Sequence, residues 1–233
     1  GIRVLNTPEA SSRAVAELTI GLMLALTRSI PTADRGMKQE EWLKKQLTGR
    51  ELNGKTLGIV GLGNVGEKVA RIAKAFGMKI LIHKRTPPSP ELLKELEAEY
   101  VSLDTLLRKS DIITIHVPLT PQTKEMIGAA ELQKMKRNAF IINTSRGAVI
   151  DEKALLDALK DGKVAGAALD VFETEPLPPD SELWKMENVI MTPHVAGTTP
   201  HYDRRATPIF RKNLKRYIEG KPLINLVDKE RGY

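Results

Sequence analysis

One hexapeptide restricts the folds open to this chain more than any other feature. Gly61-Leu62-Gly63-Asn64-Val65-Gly66 joins an apolar β-rich run, Thr56–Val60, to an amphipathic segment, Glu67–Phe76, that Gly77 closes. In a G-x-G-x-x-G turn the first glycine permits the tight turn and the second lets backbone approach a pyrophosphate. The third lets the helix pack closely on the strand. The helix so opened presents free N–H groups and partial positive charge to phosphate. A glycine turn could join any strand to any helix, but a strand before it and a helix after it make dinucleotide binding the stronger reading, with Gly61 to Gly66 as the cradle.

The flanking pattern agrees. Further strands are predicted over Lys79–His83, Asp111–Val117, Ala139–Asn143, Ala165–Val171 and Val189–Thr192, with helices over Glu91–Glu99 and Ile150–Asp161. Alternation of this kind implies an α/β, Rossmann-type doubly wound parallel sheet with helices on both faces. Ahead of it, Ala14–Ile30 is apolar on most faces, capped at Ser11 or Ser12 and stopped by Pro31. Residues 32–55 form a polar arm with Trp42 and Leu43 as anchors. The last predicted helix, Tyr202–Ile218, contains Pro208 and is expected to kink there or to begin at Thr207. Three segments follow: 1–50, a helix and arm; 51–200, the dinucleotide-binding domain; 201–233, a terminal helix and tail.

Composition narrows the class. At 233 residues, 41% apolar and 28% charged, the chain can bury a core without staples. It has no cysteine, which excludes disulfides and thiolate chemistry and suits a cytoplasmic setting. The net charge of +7 lies on the flanks, since residues 51–200 hold 19 basic and 20 acidic side chains. With only 4% aromatics and no basic stripe, nucleic-acid binding is not expected. The apolar run Leu18–Leu26 is shorter than the ~20 residues of a membrane span. No spacing of His and carboxylates suggests a metal.

The end of the second strand bears on the nucleotide. An NAD-type site places Asp or Glu about 20 residues beyond the glycines to hold the ribose hydroxyls. Here the strand ends His83-Lys84-Arg85-Thr86, and the first acid after Glu67 is Glu91. Two cations stand where a carboxylate would repel a 2′-phosphate, so NADP is favoured, with NAD also possible. As a plain alternative, Lys84 and Arg85 are solvated surface charges.

Polar residues collect just after predicted strands, where open parallel sheets bind ligands. Arg146 follows the fourth strand in Asn143-Thr144-Ser145-Arg146-Gly147. Asp170 ends the fifth, with Glu175 behind it in Asp170-Val171-Phe172-Glu173-Thr174-Glu175-Pro176. His194 ends the sixth in Thr192-Pro193-His194. Singly, each has a structural reading: a satisfied histidine, a surface acid, an arginine paired to Asp151. Together, behind a dinucleotide loop, they read as one site.

These strings resemble the D-isomer-specific 2-hydroxyacid dehydrogenases, as do Ala16-Glu17-Leu18 and His116-Val117-Pro118-Leu119-Thr120. The resemblance covers nearly the whole chain. It implies a catalytic set of Arg146, Glu175 and His194: His194 the proton donor, Glu175 its orienting carboxylate, Arg146 the holder of the substrate carboxylate. It also implies cofactor contacts at Leu62, Asn64, Val65, Lys84, Arg85, Thr86, Val117, Pro118, Thr123, Thr144, Ser145, Arg146, Asp170, His194, Val195 and Ala196. His83 would stand on the adenosine side and His116 in the cleft, while His201 has no partner pattern. The implied substrate is a small 2-keto or 2-hydroxy acid, with glyoxylate or hydroxypyruvate reduction first and phosphoglycerate oxidation next. A dinucleotide-sensing corepressor is the non-enzymatic alternative. The formate branch shares Gly197-Thr198-Thr199 but carries Gln where this chain has Glu175. Family members also carry about a hundred residues ahead of the equivalent of Gly1, forming most of a substrate domain. The substrate domain is therefore expected to be largely absent here, turnover to be slow, and Arg211–Tyr233 to run back toward it. The helix Ala14–Ile30 and its arm match the family's dimer-forming segment, so a homodimer is expected.

Overall fold

Short apolar runs form the strands of the computed structural model, which describes residues 2–228. They are β1 (Thr56–Val60), β2 (Lys79–His83), β3 (Ala98–Tyr100), β4 (Ile112–Ile115), β5 (Phe140–Asn143), β6 (Gly166–Leu169) and β7 (Val189–Met191). All pair in parallel, in the order β3-β2-β1-β4-β5-β6-β7. The winding reverses between β1 and β4, so the loops leaving those two strands diverge and leave a crevice. Strands β4, β5 and β6 are buried along their whole length, and so they read as continuous apolar runs rather than alternating ones.

Side chains leave the sheet into two cores. Val60, Ile113, Ile115, Ile141 and Leu169 pack under α5 (Leu103–Lys109), α6 (Ala129–Lys134) and α7 (Glu152–Lys160). On the other face Leu57, Ile59, Ile112, Ile142 and Ala168 pack under α1 (Pro8–Thr27), α3 (Asn64–Ala75) and α4 (Pro90–Leu96). Helix α1 has the length and apolarity of a membrane span, but Ala16, Thr19, Ile20 and Met23 are buried, and it lies against α3 and the strands β5 to β7. The remaining α-helices among the described residues are α2 (Ile30–Lys38) and α8 (Tyr202–Ile218), and 3-10 turns cover Gly147–Val149 and Glu182–Lys185. Near the chain ends Leu5 bridges Leu226, and Val227 N–H donates to the Val4 carbonyl. The expected run of Arg211–Tyr233 lies partly outside the described residues.

Several expectations need correction. The first helix starts at Pro8, not near Ala14, because proline at the first helical position gives up an N–H that has no partner there anyway. It ends at Thr27, and Pro31 opens α2 instead of stopping α1, after Ser29 in a left-handed conformation at φ 53°. Part of the arm 32–55 is therefore helical. Helix α3 begins at Asn64 rather than Glu67, and the helix predicted over Glu91–Glu99 stops at Leu96. Beyond it Glu97 turns left-handed and β3 begins, a seventh strand too polar and too short to be read from pattern. Helix α8 starts at Tyr202 rather than Thr207 and runs through Pro208, forgoing one backbone hydrogen bond.

Candidate active site

The glycine turn closes on its neighbours. Gly61 sits at φ 98°, a conformation that L side chains avoid, and a Cβ there would press on the His116 carbonyl. A Cβ on Gly66 would overlap the Gly61 carbonyl oxygen. Around Gly63, by contrast, the space is open. Gly63 caps α3 with no side chain on the helix's free N–H groups. An open, cationic helix end over a bare backbone is the cradle a pyrophosphate requires, so the residues present fit the dinucleotide. Leu62 and Val65 turn their side chains into the α1–α3 core, which leaves backbone as what they can offer a ligand.

At the end of β2, His83 Nδ1 lies 3.1 Å from the Val101 carbonyl, and the Tyr100 hydroxyl donates to the Lys84 carbonyl at 3.1 Å. Arg85 and Thr86 are exposed. Neither Lys84 nor Arg85 forms an ion pair among the described residues, so both charges are available to an anion. Beyond β4, Thr123 donates to the Pro118 carbonyl at 2.6 Å and accepts the Thr120 N–H, closing the Val117–Pro118 loop on itself. Both ring nitrogens of His116 are buried without a protein partner, and burial pushes its pKa down to about 3, so the ring is neutral.

Two buried side chains hold the loops that carry Arg146 and His194: Asn143, which spacing does not single out, and Asp170, which was expected as a cofactor contact and whose carboxylate is engaged by the loop itself. Asn143, at the tip of β5, donates to the Arg146 carbonyl at 2.9 Å and accepts from Ser145 N–H and hydroxyl at 3.0 and 2.8 Å. Its position directly before Thr144-Ser145 is the only signal that could have found it, since Asn readily caps such turns. Thr144 itself is buried and shares a 2.9 Å hydrogen bond with Thr19 of α1, tying that helix to the site. Asp170 is fully buried beneath the His194 turn. Its carboxylate accepts the Thr192 hydroxyl at 2.5 Å and the N–H groups of Val195 and Ala196 at 3.0 and 2.9 Å. His194 occupies a left-handed conformation, φ 53°, which a side chain adopts only where its surroundings hold it.

His194 and Glu175 meet. Nδ1 of the imidazole lies 2.6 Å from Glu175 Oε2, while Oε1 accepts the Phe172 N–H at 3.0 Å. Burial would raise the Glu175 pKa, but the imidazole and that N–H outweigh it, with the charge of Arg146 adding to them, so the carboxyl sits below its ordinary value. Arg146 is exposed, and among the described residues its guanidinium donates only to the Ser145 carbonyl, at 2.6 Å. It does not pair with Asp151, which instead caps α7 through the Ala154 N–H. The site therefore combines an oriented imidazole, the carboxylate that holds it and a free guanidinium, behind a nucleotide cradle.

Comparison with known proteins gives the same picture. Residues 20–196 match the family described as D-isomer specific 2-hydroxyacid dehydrogenase, NAD binding domain. The chain is 47% identical over 229 residues to D-3-phosphoglycerate dehydrogenase of Methanocaldococcus jannaschii, spanning 98% of this chain and 43% of that protein. It is 46% identical over 237 residues to glyoxylate reductase of Aeropyrum pernix, spanning 99% and 70%. Among solved structures, a D-isomer specific 2-hydroxyacid dehydrogenase from Xanthobacter autotrophicus in complex with NADPH and MES superposes with a TM-score of 0.87 at 34% identity, covering 100% of this chain and 94% of that one.

Proposed function

The chain belongs to the D-isomer specific 2-hydroxyacid dehydrogenase family, and from that premise we propose that it serves the reduction of a small 2-keto acid such as glyoxylate or hydroxypyruvate. The observation that carries this is the 2.6 Å contact of His194 with Glu175 beside an unpaired Arg146. Arg146 holds the substrate carboxylate and draws electron density from the neighbouring carbonyl. His194, through the ring nitrogen that Glu175 leaves free, passes a proton to the carbonyl oxygen and takes it back in the reverse direction. The carboxylate keeps the ring oriented. When bound, the nicotinamide supplies the hydride. The backbone of Gly61–Gly66 and the N-terminus of α3 bind the pyrophosphate.

NADPH is the preferred nucleotide. Lys84 and Arg85 carry free charge where an NAD-type site keeps an acid, and the similar Xanthobacter chain was solved with NADPH. Quenching of protein fluorescence by NADPH and NADH, titrated separately, tests this; tighter NADH binding would reject it. Loss of NADPH absorbance with glyoxylate or hydroxypyruvate tests the reaction. The 47% identity to a phosphoglycerate dehydrogenase supports a second reading, in which 3-phosphoglycerate is oxidised. Turnover of 3-phosphoglycerate alone would select that reading. Nucleotide binding with no turnover of any 2-keto acid, in a protein joined to its substrate domain, would favour a sensor.

A further inference from the structure

One peptide unit, between Phe172 and Glu173, is gripped from two sides by the segment that follows Arg146. Gly147 packs so closely on it that a Cβ would overlap the Phe172 carbonyl carbon and oxygen and the Glu173 nitrogen. Five residues on, Glu152 at the start of α7 accepts the Glu173 N–H through Oε2 at 3.0 Å. The gripped peptide is adjacent to the Phe172 N–H that donates to Glu175 Oε1, and Glu175 Oε2 is the oxygen on His194. Resting on the reading of His194 and Glu175 as the proton-transfer pair, we propose that Gly147 and Glu152 are positioning residues that clamp the Phe172–Glu173 peptide and thereby hold the Glu175 carboxylate on His194.

The geometry explains why a glycine follows Arg146. Gly147 opens a short 3-10 turn, Gly147–Val149, but is not left-handed, so the turn itself does not demand glycine; a side chain is excluded by backbone atoms, which cannot move aside as a flexible side chain could. It also gives Glu152 work beyond its place in the first turn of α7, where any acid would suit the helix dipole. Because Arg146 and Gly147 are adjacent, the clamp keeps the substrate-holding cation and the proton-transfer pair in one frame. Movement of either loop alone would separate them, and misplacement by a fraction of an ångström costs rate.

The test is a carbon-13 NMR titration of the Glu175 side-chain carboxyl in the full chain, with Glu152→Ala, Glu152→Gln and Gly147→Ala. In the parent this carboxyl titrates below its ordinary value because His194 and the Phe172 N–H hold it there. Glu152→Ala and Gly147→Ala should move its midpoint up, while Glu152→Gln should restore the parent midpoint, since an amide oxygen accepts the same N–H. In the NADPH-linked assay Glu152→Ala should lower kcat about 10-fold, the low end of the loss of one hydrogen bond to a carboxylate, with the nucleotide KM unchanged. A purely structural contact would lower the melting temperature of Glu152→Ala without moving the titration or distinguishing Gln from Ala. Folded Glu152→Ala with the parent midpoint overturns the clamp, whether or not Gly147→Ala folds. Undiminished turnover in Glu175→Gln would instead overturn the proton-transfer reading, and the titration would still report the clamp.

Discussion

The imidazole–carboxylate contact sets expectations at the scale of single residues. Glu175→Gln removes the carboxylate that holds the His194 ring in place, so reduction should fall about 100-fold. Steady-state reduction rates would show this, and an undiminished rate would deny Glu175 its role. Because folding lowers the Glu175 pKa, its contribution to stability is complete above its ordinary value of 4.5 and disappears as pH falls through the depressed one. His116 acts in the same direction through a different cause. Its folded pKa of about 3 lies below the ordinary 6.5, so between those values the unfolded chain binds a proton that the fold refuses. Stability should drop by up to about 1.4 kcal/mol per pH unit across that window on this account alone. His116→Phe, which removes two unpartnered ring nitrogens, should flatten the slope; urea melts at pH 7 and pH 5 would check it, an unchanged slope counting against the assignment. At this scale the candidate set was legible as a cluster of positions because each member sits in a short string at a strand end. Asn143 and Asp170 as braces were not, because which backbone N–H a buried carboxylate or amide accepts depends on loop paths that residue spacing does not encode.

Among elements, the strands were legible and the helix ends less so. A run such as Ile112–Ile115 is buried on both faces, which leaves few alternatives to a central parallel strand. The edge strand Ala98–Tyr100 carries no such run, with Glu99 and Tyr100 exposed, and shows itself only through its pairing with β2. Proline misled twice for one reason: its cost depends on whether its N–H was needed. Pro31 falls in the first turn of α2, where it was not, and Pro208 lies in a half-exposed helix that tolerates the loss. The glycine loop carries the prediction proper to this scale. Gly66→Ala would thrust a Cβ into the Gly61 carbonyl and push α3 off β1. The cost should be about 1–3 kcal/mol in stability, with loss of nucleotide affinity exceeding tenfold. Calorimetry with NADPH measures both, and native affinity in a folded Gly66→Ala would show that the close packing of α3 is unnecessary for binding.

At the scale of the whole molecule the homodimer implied by the family resemblance is a prediction, and it needs an exposed apolar face. Two exposed apolar faces are present. One runs along Ile2, Val4, Phe210, Tyr217 and Ile218, where the N-terminal segment meets α8. The other is made by the arm, where Ile30, Met37 and Trp42 are exposed, and by exposed Trp184 ahead of β7, with Pro31, Arg35 and Trp184 lining one cavity between them. Leu26, Phe140 and Ile190 line the same cavity. The second face has the stronger claim to a homodimer. An uncovered edge strand flanked by apolar surface is a liability that proteins seldom leave open, and a twofold contact would cover it in both copies at once. Family resemblance, which implies dimerisation through the first helix and its arm, points to the same place. Sedimentation equilibrium should therefore give about twice 25.8 kDa. Trp42→Glu should shift the mass toward the monomer by placing a charge within the contact, whereas Phe210→Glu should leave it unchanged. Dissociation by Phe210→Glu alone would move the interface to α8, and a monomeric parent would remove it altogether.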